Sequence, residues 1–234
     1  METNCGYCLA KFTKKYSAQK YCSQACSNRF NLNNKVLFTG PKIKSVELAE
    51  LFGILLGDGS VEKYFVKIYL NMIADKGYSK NILKILEVSL PKTRVSIRFR
   101  SSSGTEEIQI SSKDACDYIR SIGFNPKKRE VPRWITNKKK FTIATVRGLF
   151  DTEGSIGIKY YKSKNGVKIY KQLTVTNSNK SILSFLENSL VQLGFTPTKN
   201  SKKNIYISNK KDIEKYFQII GTSNPKLEKK MKMK

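Results

Sequence analysis

Two short stretches of the sequence end alike, on a small residue, an acid, Gly and Ser. They are "LFGILLGDGS" at 51–60 and "VRGLFDTEGS" at 146–155, and their acids are Asp58 and Glu153. Two carboxylates held close together repel each other, and a divalent cation such as Mg²⁺ or Mn²⁺ removes that repulsion. In a two-metal site, such cations stabilise the attacking and leaving oxygens of an in-line displacement. The alternative is that both acids only cap turns with the following Gly-Ser, but the repetition favours a metal site.

The apolar part of each stretch predicts a helix, the first over 47–57 and the second over 143–152. Each helix carries two small residues four positions apart, namely Gly53 with Gly57 and Gly148 with Thr152. Because small side chains let two helix backbones approach closely, we expect these helices to touch. The acids would then lie side by side at the C-terminal ends of the helices.

Four of the five cysteines form two close pairs, Cys5-x2-Cys8 and Cys22-x3-Cys26. Two such pairs supply the four thiolates of a tetrahedral Zn²⁺ site, and metal binding stabilises a segment too short to build its own core. Disulfides are the alternative for these residues. Several lysines and Arg29 surround the pairs, which favours a small DNA-contacting zinc finger over a purely structural clip.

The composition indicates a polyanionic partner. The 234 residues include 44 Lys and Arg against 18 Asp and Glu, for a net charge of +26, and nucleic acid is the first candidate for binding such a surface. A merely lysine-rich surface is the alternative. Histidine is absent, which excludes His-metal nucleases, Ser-His-Asp triads and zinc fingers with histidine ligands. Any hydrolysis must therefore depend on carboxylates, lysines and metal ions.

The sequence contains neither a long apolar run that would span a membrane nor a signal-peptide pattern at its start. We therefore expect an intracellular protein that is not secreted and has no membrane partner. Thiols stay reduced in that setting, which agrees with cysteines that bind metal.

Four blocks of sequence occur twice in the same order, at offsets of about 95 to 100 residues. They predict an α+β fold: two pseudo-twofold αββαββα repeats that form a saddle of antiparallel sheets, plus the small N-terminal four-cysteine zinc module. The expected boundaries are 1–38 for the zinc module and linker, 39–138 for the first repeat and 139–234 for the second.

The predicted strands alternate between apolar and polar residues. In "RVSIRFR", Val95, Ile97 and Phe99 face one way and the arginines face the other, so one face of each sheet should cover the helices. The other face carries basic and hydrogen-bonding residues suited to phosphates and base edges, and β-ribbons fit the major groove. The expected DNA contacts are Arg94, Arg98, Arg100, Lys67, Gln109, Lys159, Gln172, Thr174 and Tyr206.

With both acid motifs in matching repeats, the region 45–228 resembles the LAGLIDADG family of homing endonucleases, in its single-chain form with two motifs. The resemblance implies a double-strand DNA endonuclease in which each half contributes one acid. By that match, Asp58 and Glu153 are the metal ligands, and the carbonyls of Gly57 and Thr152 lie close to the metals. The four-cysteine module lies outside this common core.

The resemblance also implies further catalytic residues. Lys113 and Lys210 match basic residues that follow the last strand of each half in the family, and Lys211 is an adjacent alternative to Lys210. Asn177 resembles a water-positioning residue at a strand end, and its partner in the first half would be Met72 or Asn71.

These features together predict a monomeric, site-specific nuclease that recognises a long, asymmetric duplex, because Asp58 and Glu153 differ and the halves are not identical. Two other functions use the same scaffold. One is an RNA maturase that binds intron RNA, and the other is a DNA-binding regulator that does not cleave. The presence of both acids argues against the regulator.

Overall fold

The computed structural model describes residues 1–33, 38–163, 166–201 and 203–232, without the side chains of 159, 161–163, 166–168, 200 and 201. The chain divides into two compact units, Met1–Leu37 and Phe38–Lys234. In the first unit, strand β1 (Glu2–Asn4) pairs with β2 (Lys11–Thr13) in an antiparallel ribbon, and helix α1 (Gln24–Asn33) follows. Among the described residues, no helix is both long enough and apolar enough to cross a membrane.

The second unit repeats one order of elements: helix, two strands, helix, two strands, helix. The first half consists of α2 (Val46–Asp58), β3 (Gly59–Val61), β4 (Phe65–Asn71), α3 (Tyr78–Ser89), β5 (Val95–Arg100), β6 (Thr105–Ser111) and α4 (Lys113–Ser121). The short α5 (Arg133–Thr136) connects the halves. The second half consists of α6 (Lys139–Glu153), β7 (Gly154–Ser163), β8 (Gly166–Thr176), α7 (Lys180–Gln192), β9 (Thr198–Ser201), β10 (Asn204–Ile207) and α8 (Lys210–Ile219), and α9 (Pro225–Lys232) follows.

Each half forms a four-stranded antiparallel sheet, in the order β3-β4-β6-β5 for the first and β7-β8-β10-β9 for the second. The two orders are equivalent, because each half places its second and fourth strands in the centre. The predicted α+β class with antiparallel sheets is therefore confirmed.

Helices α2 and α6 form the centre of the unit. Ser45 caps α2 by accepting a hydrogen bond from the Leu48 amide at 3.1 Å, and every residue from 48 to 57 is buried, which is typical of a helix that is apolar all round. Both helices extend beyond the predicted bounds, and each now ends on its acid. Between them, the Thr145 hydroxyl donates to the Ala49 carbonyl at 2.8 Å.

The contact between α2 and α6 is symmetric at two glycines. A Cβ on Gly53 would lie 2.3 Å from the carbonyl oxygen of Thr145, and a Cβ on Gly148 would lie 2.3 Å from the carbonyl oxygen of Glu50. In both cases the obstructing carbonyl lies three residues before the glycine of the other helix. The backbones thus touch where the small-residue ridges predicted contact.

One expectation about the sheets is wrong at an edge. Leu173, Val175 and Ile205 are buried as the alternation predicted, but Ile97 is 37% exposed and Phe99 is 66% exposed. Both belong to β5, which has a neighbour on only one side. The alternation gives the face of a side chain, but it does not reveal that an edge strand lacks cover on that face.

The segment 222–226, after α8, is held by acids of both halves. The Ser223 hydroxyl donates to Glu50 at 2.8 Å, and the Ser223 amide donates to Asp151 at 2.6 Å. The Lys226 ammonium and the Asn224 amide side chain both donate to Asp75 at 2.9 Å. The second half is thus fastened to α2 and to the turn after β4.

Candidate active site and nucleic-acid interface

Asp58 and Glu153 are the last residues of α2 and α6, so the close helix contact brings the ends that carry them together. A Cβ on Gly57 would lie 2.1 Å from the Thr152 hydroxyl and 3.2 Å from Glu153 Cγ. The side chain of one acid therefore lies against the backbone that immediately precedes the other. Two carboxylates meet here, as the repeated ending predicted.

The surroundings of both acids favour the protonated carboxyl. Burial raises the pKa of Asp58, and the nearby Asp75 raises it further, while Lys226 and Arg129 act in the opposite direction. Burial also raises the pKa of Glu153, with a further increase from Asp58, and Arg129 opposes it. An acid pair that is half-buried and mutually repulsive is suited to a divalent cation, which would hold both groups ionised.

Asn177, directly after β8, contacts one of the acids. Its side-chain amide donates to Glu153 Oε1 at 3.0 Å, while its oxygen accepts from the Asn179 amide at 2.8 Å. These two contacts fix the rotamer of the amide and one oxygen of the carboxylate.

The strand register gives the first-half counterpart of Asn177. Gly154 pairs with Val175, two residues before Asn177, and Gly59 pairs with Ile68, two residues before Leu70. The counterpart is therefore the buried Leu70, and not Met72 or Asn71 as we expected from the sequence. At this register position the second half has an amide that contacts Glu153, whereas the first half has the aliphatic side chain of Leu70 in β4.

Arg129 is a residue of the site that the sequence did not indicate. It lies in the connection between the halves, at a φ of 51°, and its guanidinium donates to the carbonyl of Gly59 at 3.1 Å. Its charge lowers the pKa of both acids. The turn is set by Asn125, whose carbonyl accepts from the Arg129 amide at 2.8 Å. In the sequence, nothing distinguishes Arg129 from the two lysines before it.

The predicted catalytic lysines lie at helix starts. Lys113 begins α4 and pairs with Asp117 at 2.7 Å, and Lys210 begins α8, largely exposed, with Glu214 at 3.9 Å. The adjacent Lys211 is also exposed. Their role at the phosphate stays a prediction.

Among the described side chains, the predicted DNA contacts that belong to strands lie on the outer faces of the two sheets. In the first sheet, Lys67 is opposite Gln109 and pairs with Glu62 at 2.9 Å, and Arg98 and Arg100 are exposed on β5. Gln109 itself is buried, and its side-chain amide donates to the Ser111 hydroxyl at 2.9 Å, so it is not the exposed contact that the sequence predicted. Arg94 is exposed just before β5. In the second sheet, Thr174 is opposite Tyr206 and Gln172 is opposite Gly157, and the Lys159 side chain lies outside the described residues.

The N-terminal unit brings its four cysteines together. All four sulfurs lie within 4.8 Å of one another, and Cys22 Sγ is 3.6 Å from both Cys8 Sγ and Cys26 Sγ. Thiolates at ~2.3 Å from a tetrahedral zinc lie ~3.8 Å apart, whereas bonded sulfurs lie at ~2 Å. The cluster therefore fits a four-thiolate metal site, and none of the four is in a disulfide. Cys116 is buried in the core, as expected.

Comparison with known proteins connects this geometry to a family. Residues 140–221 match the family described as the LAGLIDADG-like domain. An uncharacterized protein of Methanocaldococcus jannaschii, MJ0314, is 25% identical over 163 residues, which are 68% of this chain and 59% of that protein. The replication factor C small subunit of the same organism is 25% identical over 214 residues, 78% of this chain but 10% of the relative. This chain thus spans less than two thirds of either relative.

Two solved structures share the fold. The homing endonuclease I-DmoI, in complex with DNA and Mn, has a TM-score of 0.52 at 19% identity, covering 75% of this chain and 96% of that one. The N-terminal LAGLIDADG domain of DUF199/WhiA has a TM-score of 0.51 at 16% identity, covering 77% of this chain and 84% of that one. The resemblance seen in the sequence is therefore confirmed at the level of the fold: residues 140–221 match the LAGLIDADG-like domain, and this chain has the LAGLIDADG fold.

Proposed function

We propose that this protein is a site-specific double-strand DNA endonuclease that hydrolyses phosphodiester bonds with a divalent metal held between Asp58 and Glu153. The observation that carries the proposal is the meeting of two half-buried acids at the ends of two touching helices. A chain with a net charge of +26 gains nothing from placing two carboxylates together unless a cation joins them.

The donor set fits Mg²⁺ or Mn²⁺, which prefer oxygen ligands such as carboxylates and backbone carbonyls. Asp58 and Glu153 would hold the metal, with the carbonyls of Gly57 and Thr152 as further oxygen ligands. When bound, such a metal stabilises the charge that develops on the attacking and leaving oxygens of phosphate.

The other residues of the site orient and balance these acids. The amide of Asn177 fixes Glu153 Oε1, which leaves Oε2 for another ligand, and the charge of Arg129 stabilises both carboxylates. Lys113 and Lys210 are proposed to stabilise the negative charge of the pentavalent phosphate.

The partner that we propose is a long, asymmetric DNA duplex, bound by a monomer. The outer faces of both sheets are rich in basic and hydrogen-bonding side chains, and antiparallel strands can follow the major groove. We further propose that the N-terminal unit binds Zn²⁺ through its four cysteines and contributes its lysines to DNA binding. The whole protein would act inside a cell, in intron homing.

An RNA maturase and a non-cleaving regulator remain the competing functions for this scaffold. The DUF199/WhiA domain shows that the LAGLIDADG fold also occurs in a protein that is not named as a nuclease. The contact between Asn177 and Glu153 favours the nuclease, because a protein that only binds DNA has no use for an oriented acid pair.

The test is cleavage selection on a randomised duplex library with Mg²⁺, followed by the variants Asp58→Asn and Glu153→Gln on the selected duplex. Both variants should abolish cleavage and leave duplex binding nearly intact. Glu228→Gln removes a surface acid that pairs with Lys232 in α9 at 2.6 Å, and should leave both properties unchanged. If cleavage and binding fall together in the two acid variants, the catalytic assignment is wrong.

A further inference from the structure

The outer face of the first sheet carries one acid within strands β3–β6, all of which are described. This acid is Glu107 in β6, which lies opposite Tyr69 of β4 and Arg98 of β5. A carboxylate on a face that meets phosphates weakens DNA binding by repulsion. We therefore expect Glu107 to make a contribution that offsets this loss of DNA affinity.

Glu107 is deeply buried although its neighbours are polar. Its side chain is 1% exposed, and Oε2 accepts from the Arg100 guanidinium at 2.5 Å, while Arg100 itself is 55% exposed. The second oxygen, Oε1, is buried and has no hydrogen-bond partner among the described residues. A buried unpaired carboxylate oxygen costs folding free energy, so stability alone does not explain this residue.

The second half has a similar feature at the matching position. Ile108 pairs with Ile68 and Ile205 pairs with Val175, so the residues just before them, Glu107 and Asn204, are counterparts. The side-chain oxygen of Asn204 is also buried, with no hydrogen-bond partner in the part of the chain that the structure describes. Strands β6 and β10 therefore each place a buried hydrogen-bond acceptor on the outer face of their sheet.

We propose that Glu107 is a positioning residue for DNA recognition, which holds the Arg100 guanidinium in one orientation so that it reads a guanine base. A guanidinium reads guanine through two parallel hydrogen bonds, to O6 and N7, and this contact needs a fixed orientation. A freely moving arginine would instead contact any phosphate in reach. The carboxylate thus lowers overall affinity and increases discrimination, and Asn204 occupies the corresponding place in the second half. This inference rests on the proposed function, because it requires a sequence-specific duplex.

The experiment selects bound duplexes from a randomised library, without a cleavage step, for the unsubstituted protein, three single variants and the double variant Glu107→Gln, Arg100→Ala. Glu107→Gln keeps the shape of the side chain and removes its charge. Arg100→Ala removes the reader but leaves the buried carboxylate of Glu107 without that partner, so its folding is checked by thermal unfolding, and the double variant Glu107→Gln, Arg100→Ala removes the unpaired charge. Glu62→Gln is the matched control, because Glu62 also pairs with a basic side chain of this face, Lys67 at 2.9 Å, but is itself exposed.

We expect Glu107→Gln to lose about tenfold or more of the preference for guanine at one base pair, to keep the rest of the motif, and to bind unrelated duplex more tightly. Arg100→Ala should lose preference at the same base pair, and the double variant should lose no more. Glu62→Gln should keep the whole motif.

The inference is wrong if Glu107→Gln keeps the full motif, if it weakens every position equally, or if Arg100→Ala affects a different base pair. If the unsubstituted protein selects a motif and a variant gives one of these results, only this inference fails and the proposed function still stands. No selected motif for the unsubstituted protein would instead overturn the proposed function, and this inference with it.

Discussion

The contact between α2 and α6 should fail in a measurable way when Gly53 becomes alanine. The new Cβ would lie 2.3 Å from the Thr145 carbonyl oxygen and 2.9 Å from the Leu149 amide nitrogen, whereas an ordinary contact begins at 3.4 Å. Both obstructing atoms are backbone, so they yield only if the helices separate by about 1 Å. Overpacking costs up to ~3 kcal/mol, and the better helix propensity of alanine returns ~1 kcal/mol. We expect a net loss of about 2 kcal/mol in the free energy of unfolding.

The assay is urea unfolding of Gly53→Ala, with Gly157→Ala as the control. Gly157 lies in β7, where the nearest atom to an added Cβ is the Gln172 carbonyl oxygen at 3.9 Å, so we expect a change within about 0.5 kcal/mol. Because a displacement of about 1 Å also misplaces the acids, cleavage should fall by up to ~100-fold.

The double variant tests the mechanism of this loss. Gly148→Ala obstructs the same interface from the other side, at 2.3 Å from the Glu50 carbonyl oxygen. A single separation of the helices accommodates both methyl groups, so the double variant should lose less stability than the sum of the single variants. Full stability of Gly53→Ala, or strict additivity of the two losses, would refute the close helix contact as we describe it.

Three further predictions concern pH, strand order and metal. Burial raises the pKa of Asp151 from its usual 3.8 to about 7, so the folded state prefers the protonated acid and loses ~4 kcal/mol as pH rises from about 4 through about 7. Asp151→Asn should flatten the pH dependence of the free energy of unfolding in this range, measured by urea unfolding at several pH values. An unchanged pH dependence would contradict the raised pKa of Asp151. Asn177→Leu copies the first-half residue Leu70 and should slow cleavage of one DNA strand more than cleavage of the other, so that nicked duplex accumulates. Equal slowing of cleavage on both strands would argue against two different half-sites. Freshly purified protein should contain one zinc per chain by elemental analysis, and the double variant Cys22→Ser, Cys26→Ser should contain none, whereas zinc retained in that variant would place the metal elsewhere.

The sequence was sufficient for the features that depend on local pattern. Small residues four positions apart before an acid predicted both the helix contact and the meeting of Asp58 with Glu153, because helix geometry converts that spacing into one ridge. The spacing of the cysteine pairs likewise predicted the cluster of sulfurs. These features need only a few residues close in the chain.

Other features depend on how distant segments meet. The partner of Asn177 was expected from residue counting at Met72 or Asn71, but the connection from β4 to α3 is longer than its counterpart after β8, so only the strand pairing reveals Leu70. Arg129 lies in a turn where its own backbone is left-handed, and this turn directs its side chain to the site. No periodic pattern in the sequence predicts such a turn. The exposure of Phe99 depends on the edge position of its strand.

The docking of segment 222–226 has a consequence for recombining halves between related proteins. Glu50 and Asp75 are encoded in the first half, but their donors Ser223, Asn224 and Lys226 are encoded at the far end of the second. A chimera that joins this first half to a foreign second half would leave two buried carboxylates without those donors, at ~1–3 kcal/mol each. Transplanting residues 222–226 together with the first half should restore these donors, and the foreign α6 must also keep an arginine at position 147, which pairs with Glu50 at 2.5 Å. The first repeat therefore has to be exchanged together with this distant segment and that arginine.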